Sequence, residues 1–217
     1  MKRRVAILIS GRGSNMAALI DAAKASDFPA EIAMVISNRP DAPGLVTASG
    51  SGVPTLTIES KPFGKDRAAF EAALQSALDA HKVELICLGG FMRLLTAEFV
   101  QRWYGRMLNI HPSLLPSFPG LDPQAQALAA GVKISGATVH FVIPETDAGP
   151  ILMQGAVAVR DGDTPQALAA RILEVEHRIY PAALRLAASG KVRLEGDICK
   201  IDGGAESAGS LISPEVI

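Results

Sequence analysis

Val5-Ala6-Ile7-Leu8-Ile9-Ser10-Gly11-Arg12-Gly13-Ser14-Asn15 begins with five uninterrupted apolar residues and closes on a Ser-Gly pair. A run without polar alternation is the pattern of a strand buried on both faces. Residues 15–24 then take up helical spacing, so the stretch reads as strand, glycine turn and helix. The same alternation continues downstream. It predicts strands over 32–36, 55–58, 85–88 and 107–110, with a short helix over 43–49 and a long one over 66–81. The long helix carries Phe70, Ala73, Leu74, Ala77 and Leu78 on one face. Thr96, followed by Glu98, predicts the start of a further helix running to Trp103.

Strands that alternate with helices pair in parallel through crossovers, with helices on both faces of the sheet. The first half is therefore expected to be α/β, a doubly wound and mostly parallel sheet. After Gly131 the pattern changes to two strands, 136–142 and 151–159, joined by a loop over 144–150. A helix from 164 to about 189 and a terminal hairpin, 192–195 with 198–201 around Gly196-Asp197, complete the reading. One domain over 1–202 is expected, with a flexible tail over 203–217 that is rich in Gly, Ser and Ala.

Composition narrows the function. The 217 residues carry 21 Lys and Arg against 22 Asp and Glu, a formal charge of -1. Polyanion binders gain affinity by displacing counterions with clustered cations, so nucleic acid is not the expected partner. Met1-Lys2-Arg3-Arg4 resembles a secretory front, but the apolar run behind it ends after five residues, and no stretch approaches the ~18 apolar residues of a membrane span. Cys87 lies inside the apolar run 85–88, Cys199 is the only other cysteine, and a disulfide framework is not expected. The chain therefore reads as cytoplasmic.

Four segments carry candidate chemistry. The turn 10–15 is either a phosphate cradle, where glycine lets the backbone approach an anion at a helix N-terminus, or a tight turn with Ser14 or Asn15 as the cap. It lacks the third glycine of a dinucleotide fingerprint and the Gly-Lys-Ser/Thr of a P-loop. Asn109 and His111 stand two apart at the end of a buried strand, so both side chains point to one face at the carboxyl edge of the sheet. There an imidazole can move a proton and an amide can hold a developing oxyanion, although a buried, satisfied pair has the same pattern. Asp147 in Asp147-Ala148-Gly149-Pro150 is accounted for by turn chemistry unless its loop folds onto that edge. Segment 89–95 opens onto the same edge, and Phe91, Met92 and Leu95 form either an apolar slot or core packing with a solvated Arg93. Lys65 and Arg67, at the start of the long helix, reach an anion or only solvent. Glu176 takes sugar hydroxyls or lies on the surface. His81 suits a helix C-terminus, His140 reads as structural, and no cluster has metal-ligand spacing.

Taken in order, 7–15, 89–95, Asn109-Ile110-His111-Pro112-Ser113-Leu114-Leu115-Pro116, 136–142, 147–150 and Glu176-His177-Arg178-Ile179-Tyr180-Pro181 make the chain, from Val5 to about Asp202, resemble the phosphoribosylglycinamide formyltransferases. The Asn-x-His-Pro-Ser-Leu-Leu-Pro motif marks the wider formyl-folate transferase group, and Gly-Arg-Gly-Ser-Asn points to the purine enzymes within it. The resemblance implies a Rossmann-like formyltransferase fold. It also implies formyl transfer from the co-substrate 10-formyltetrahydrofolate to 5-phosphoribosylglycinamide, by a monomer or weak homodimer without metal. In that reading the first half, about 1–103, takes the ribonucleotide, and the remainder is catalytic and binds folate. Gly13, Ser14 and Asn15 would hold the phosphate with help from Arg67, and Glu176 the ribose. Met92, Arg93, Leu95, Asn109, Glu145 and Thr146 would hold folate, and Asn109, His111 and Asp147 would be catalytic.

Two departures from the family pattern stand out. Asp122-Pro123-Gln124 replaces histidines that many relatives place there, and Arg12 replaces a small or neutral residue of the phosphate turn. The methionyl-tRNA formyltransferases would need a tRNA-binding domain and a basic surface. The formyltetrahydrofolate hydrolases would need an N-terminal regulatory domain. A non-catalytic folate or nucleotide sensor would have no use for the Asn109/His111/Asp147 set.

Overall fold

In the computed structural model, which describes residues 1–203 together with Leu211 and Ser213, strand β1 (Arg3–Ile9) is buried at every position from Val5 to Ile9. The rest of the first half follows as α1 (Ser14–Ala23), β2 (Ala30–Ser37), α2 (Pro43–Gly50), β3 (Thr55–Thr57), α3 (Arg67–Ala80), β4 (Leu85–Leu88), α4 (Ala97–Arg102) and β5 (Met107–His111). Then come α5 (Pro123–Ala129), β6 (Ile134–Phe141), β7 (Ile151–Ala158), α6 (Pro165–Ala188), β8 (Val192–Glu195) and β9 (Ile198–Ile201). Strands β1 to β7 form one mostly parallel sheet in the order β3-β2-β1-β4-β5-β6-β7, and β8 pairs with β9 separately. The expected tail lies outside the described residues, apart from Gly203, Leu211 and Ser213.

The chain divides into two compact units. The first contains Met1–Asn109 and Phe141–Pro144. Within it β1 pairs in parallel with β2 and β4, β2 with β3, and β4 with β5. Its core sets Phe70, Leu74 and Leu78 of α3 against Leu8, Ile86 and Met107 of the sheet, with Trp103 beside them. Each large side chain buried there contributes about 1.5–3 kcal/mol relative to exposure. Asp66 caps α3 through the Ala69 N–H, and the Trp103 indole N–H donates to Gln75 Oε1 at 2.9 Å, so the polar atom of a buried ring is satisfied.

The second unit contains Ile110–His140 and the described residues from Glu145 onward. Here β6 runs antiparallel to β7, and α6 lays Leu168 and Ile172 against Ala137, Val157 and Ala127. A Cβ on Gly155 would overlap Val175, so glycine is what lets α6 lie close on β7. Arg171 also fastens the helix, donating to the Ala158 carbonyl at 2.7 Å and gripping both Asp163 oxygens. Helix α6 runs through Pro181 and matches the helix expected from 164 to about 189. Sequence reading assigns no element to 123–129. The structure forms α5 there, a short Ala-rich helix entered through Pro123, where proline costs no intrahelical bond.

Candidate active site

His111 ends β5 and is 6% exposed. Its Nδ1 lies 3.4 Å from Asp147 Oδ2, and its Nε2 lies 3.0 Å from the Phe118 carbonyl oxygen. Both ring nitrogens therefore face oxygen acceptors, and a ring protonated at both serves both. Asp147 sits in a left-handed backbone conformation, φ 54°, which Asp tolerates better than most residues. The Gly120 N–H donates to Asp147 Oδ2 at 2.8 Å, and buried His140 of β6 places Nε2 4.0 Å from the other oxygen, Oδ1. The loop over 144–150 thus folds back so that one carboxylate stands between two imidazoles.

The segment behind His111 is braced by polar contacts. Ser113 donates to the Ser117 carbonyl at 2.6 Å, and Thr138 of β6 donates to the Ser113 carbonyl at 2.7 Å. Thr138 in turn accepts from the Leu115 N–H at 3.0 Å, and Gln154 of β7 donates to the Leu115 carbonyl at 2.8 Å. Saturating the backbone of a loop in this way removes its alternatives and holds the segment after His111 in one frame.

In the first unit the turn after β1 ends on Gly13, which caps α1 at φ 68° with no side-chain cap bond, so neither Ser14 nor Asn15 takes the capping role. The backbone of the turn packs directly on Gly44. A Cβ there would lie 3.0 Å from the Gly11 carbonyl oxygen and 3.1 Å from that of Arg12. Ser14 is exposed and Asn15 is buried. Uncapped N–H groups at the start of a ten-residue helix, with the positive dipole end behind them, form a surface suited to an anion.

Segment 89–95 leaves Met92 71% and Leu94 59% exposed, while Phe91 and Leu95 pack on the core. Arg93 is not simply solvated. Its guanidinium carbon stands 4.6 Å over the Phe70 ring. An open pocket of ≈ 870 Å³ lies here, with Lys65, Arg67, Met92, Arg93 and Leu94 in its wall, so Arg67 shares a pocket with the segment expected to hold folate. Thr96, also in the pocket wall, is held by buried Glu71, which accepts from the Thr96 N–H at 2.6 Å and from the Thr96 hydroxyl.

Of the remaining predicted residues, Asn109 is half-buried on β5, Glu176 is buried on α6, and Glu145 and Thr146 are exposed just before Asp147. Among the described residues no group of His, Cys, Asp or Glu has the makings of a metal site, and no helix is long and apolar enough to cross a membrane. Sequence reasoning missed His140 and Gly120. A histidine in a buried strand carries no mark of its partner, and a backbone N–H carries none at all.

The formyl transferase family model matches residues 3–184. The chain belongs to the formyl transferase family. It is similar to the trifunctional purine biosynthetic protein adenosine-3 of Homo sapiens, 50% identical over 200 residues, which make up 91% of this chain and 20% of that protein. The chain thus spans about a fifth of such trifunctional relatives. It is 40% identical over 199 residues to the phosphoribosylglycinamide formyltransferase of Escherichia coli (strain K12), covering 92% of this chain and 93% of that one. Among solved structures it is similar to glycinamide ribonucleotide transformylase 1 from Symbiobacterium toebii. The TM-score is 0.89 at 47% identity, over 93% of this chain and 94% of the other. The family implied by the sequence motifs is the family found.

Proposed function

We propose that this formyl transferase transfers the formyl group of 10-formyltetrahydrofolate to the amine of 5-phosphoribosylglycinamide, giving formylglycinamide ribonucleotide and tetrahydrofolate in purine synthesis. The observation that carries this reading is buried His111 3.4 Å from the partly buried Asp147, whose carboxylate is tied to the Gly120 N–H. Residues 1–202 work as one catalytic domain, in the cytoplasm, as a monomer or weak homodimer and without nucleic acid, membrane or metal.

The amine attacks the formyl carbon, a C–N bond forms, and the formyl oxygen takes up negative charge. Asn109 and protonated His111 donate to that oxygen, which they hold more tightly in the tetrahedral adduct than in the flat formamide. Asp147 balances the charge of His111 and, through a water, takes the proton that the amine loses and returns it to the folate nitrogen as the C–N bond to that nitrogen breaks. No covalent bond to the enzyme is needed. Gly13, Ser14 and Asn15 hold the phosphate, Glu176 the ribose hydroxyls, and Arg67 assists from the start of α3. Met92, Arg93 and Leu95, with Asn109, Glu145 and Thr146, hold the folate. The exposed apolar Met92 and the Arg93 Nε, buried with no hydrogen-bond partner among the described residues, suit a flat heterocycle with polar edges.

His111→Ala tests the reading. A loss in kcat of at least about 10²-fold, with folate binding retained, is expected of a missing proton-transfer group. Turnover close to wild type would remove His111 from the mechanism.

A further inference from the structure

A line of hydrogen bonds, buried at its centre between Ser10 and Asn38, crosses the carboxyl ends of four neighbouring strands in the first unit. The Met92 N–H, beyond β4, donates to Ser10 Oγ at 2.8 Å. The Ser10 hydroxyl, beyond β1, donates to Asn38 Oδ1 at 2.6 Å, and Asn38 Nδ2, beyond β2, donates to Ser60 Oγ, beyond β3, at 3.2 Å. The backbone doubles these links, with Ser10 N–H on the Gly90 carbonyl at 3.2 Å and Ser60 N–H on the Asn38 carbonyl at 3.1 Å. Ser10 and Asn38 are 6% and 8% exposed.

The direction of the line is dictated by chemistry. A backbone N–H can only donate, so the Ser10 hydroxyl accepts from Met92 and must send its own proton on to Asn38. That fixes the Asn38 amide with its oxygen toward Ser10 and its nitrogen toward Ser60. Each link thus fixes the orientation of the next, and the loss of Ser10 Oγ would leave the half-buried Met92 N–H and the buried Asn38 Oδ1 without this partner together.

We propose that Ser10 and Asn38 are positioning residues that hold the folate segment, Met92 to Leu95, in register with the phosphate turn. This rests on the assignment of those two segments to folate and phosphate. Ser10 is the first residue of the turn 10–15, ahead of Gly13, Ser14 and Asn15, and its hydroxyl accepts the N–H of Met92, the residue before Arg93. One buried side chain therefore sets the distance between two binding segments that are otherwise separate loops. Neither residue touches substrate. Their effect passes through the position of the Met92 backbone.

Steady-state kinetics on the full chain, at a temperature well below unfolding, tests this. Ser10→Ala is expected to raise the KM for 10-formyltetrahydrofolate about fivefold while kcat stays within about twofold, the scale of one lost neutral hydrogen bond. Ser10→Thr, which keeps the hydroxyl, should restore most of the KM. Asn38→Ala should act in the same direction, and the double variant Ser10→Ala/Asn38→Ala should be no worse than Ser10→Ala alone, because both break one line. If Ser10→Ala does not fold, Asn38→Ala and Ser60→Ala carry the same test. A lowered unfolding temperature with both substrate KM values at wild type would overturn the proposal and leave the line purely structural. Arg93→Ala separates the two levels. If it leaves the folate KM unchanged, the folate assignment itself fails. If it raises that KM and Ser10→Ala does not, only the positioning role fails.

Discussion

Asp147 Oδ2 accepts the Gly120 N–H at 2.8 Å and lies 3.4 Å from His111 Nδ1, so one oxygen ties together the loop after β5, the loop after β6 and the imidazole. Asp147→Asn keeps an oxygen for Gly120 and a residue that tolerates the left-handed backbone, but removes the charge. Its unfolding temperature is expected to stay close to wild type while kcat falls by about 10²-fold. Thermal denaturation alongside steady-state kinetics checks both halves, and loss of kcat through unfolding alone would contradict the assignment.

If the turn is the proposed phosphate site, Ser14→Ala and Asn15→Ala are expected chiefly to raise the ribonucleotide KM, by about three- to tenfold, because each removes one donor or acceptor and leaves the α1 backbone N–H groups in place. Initial rates at varied ribonucleotide measure this. An unchanged KM in both variants would make the turn a connection only.

The acid limit of stability should depend on Asp163. The Arg171 guanidinium, hydrogen-bonded to it, and then the Arg160 N–H hold its carboxyl down at about 2, against an ordinary 3.8. A carboxyl depressed in the folded state contributes stability that is present above its unfolded pKa and lost as pH falls through its folded one. The contribution of the Asp163 to Arg171 clamp is therefore complete above about pH 4 and disappears between there and about pH 2. Denaturant unfolding of Asp163→Asn across that window should give a flatter pH dependence than wild type. An identical slope would mean that the clamp is not coupled to folding.

Gly136 should tolerate substitution less well than Gly155. A Cβ on Gly136 of β6 would overlap the Gly155 carbonyl oxygen and lie 2.9 Å from Ala156 Cα, and backbone of the paired strand cannot move aside without breaking the ladder. A Cβ on Gly155 meets the side chains of Val175 and Ile179 instead, which can turn. Gly136→Ala is expected to cost about 1–3 kcal/mol as an overpacked site, and Gly155→Ala less, both measured by urea denaturation.

The sequence made the strands of the first half and helices α3 and α6 legible, because unbroken apolar runs such as Val5 to Ile9 and stripes such as Phe70, Leu74 and Leu78 have one stable use. The cap at Thr96 was equally plain, whereas α1 is capped by Gly13 and not by Ser14 or Asn15. Helix α5 was not legible, since its seven residues, with Leu128 their one large apolar side chain, carry no stripe. The site was legible as residue types but not as an arrangement. Asp147 reads as an ordinary turn residue, and only the fold brings it to His111, 36 positions earlier by their residue numbers. His140 is masked by the continuous burial of β6. Ser10 looks like a turn residue until its partner 82 positions away is seen. Glu71 lies on the apolar face of α3 beside Phe70, where a charge makes sense only once Thr96 is in view.

The central claim, a direct passage of the formyl group between two bound substrates, is tested most directly by following the carbon itself. With ¹³C-formyl-labelled 10-formyltetrahydrofolate and 5-phosphoribosylglycinamide, NMR of the reaction should find the label on the glycinamide nitrogen, in step with tetrahydrofolate release, and none in formate. Label collecting in free formate at the same rate with and without the ribonucleotide would contradict the account.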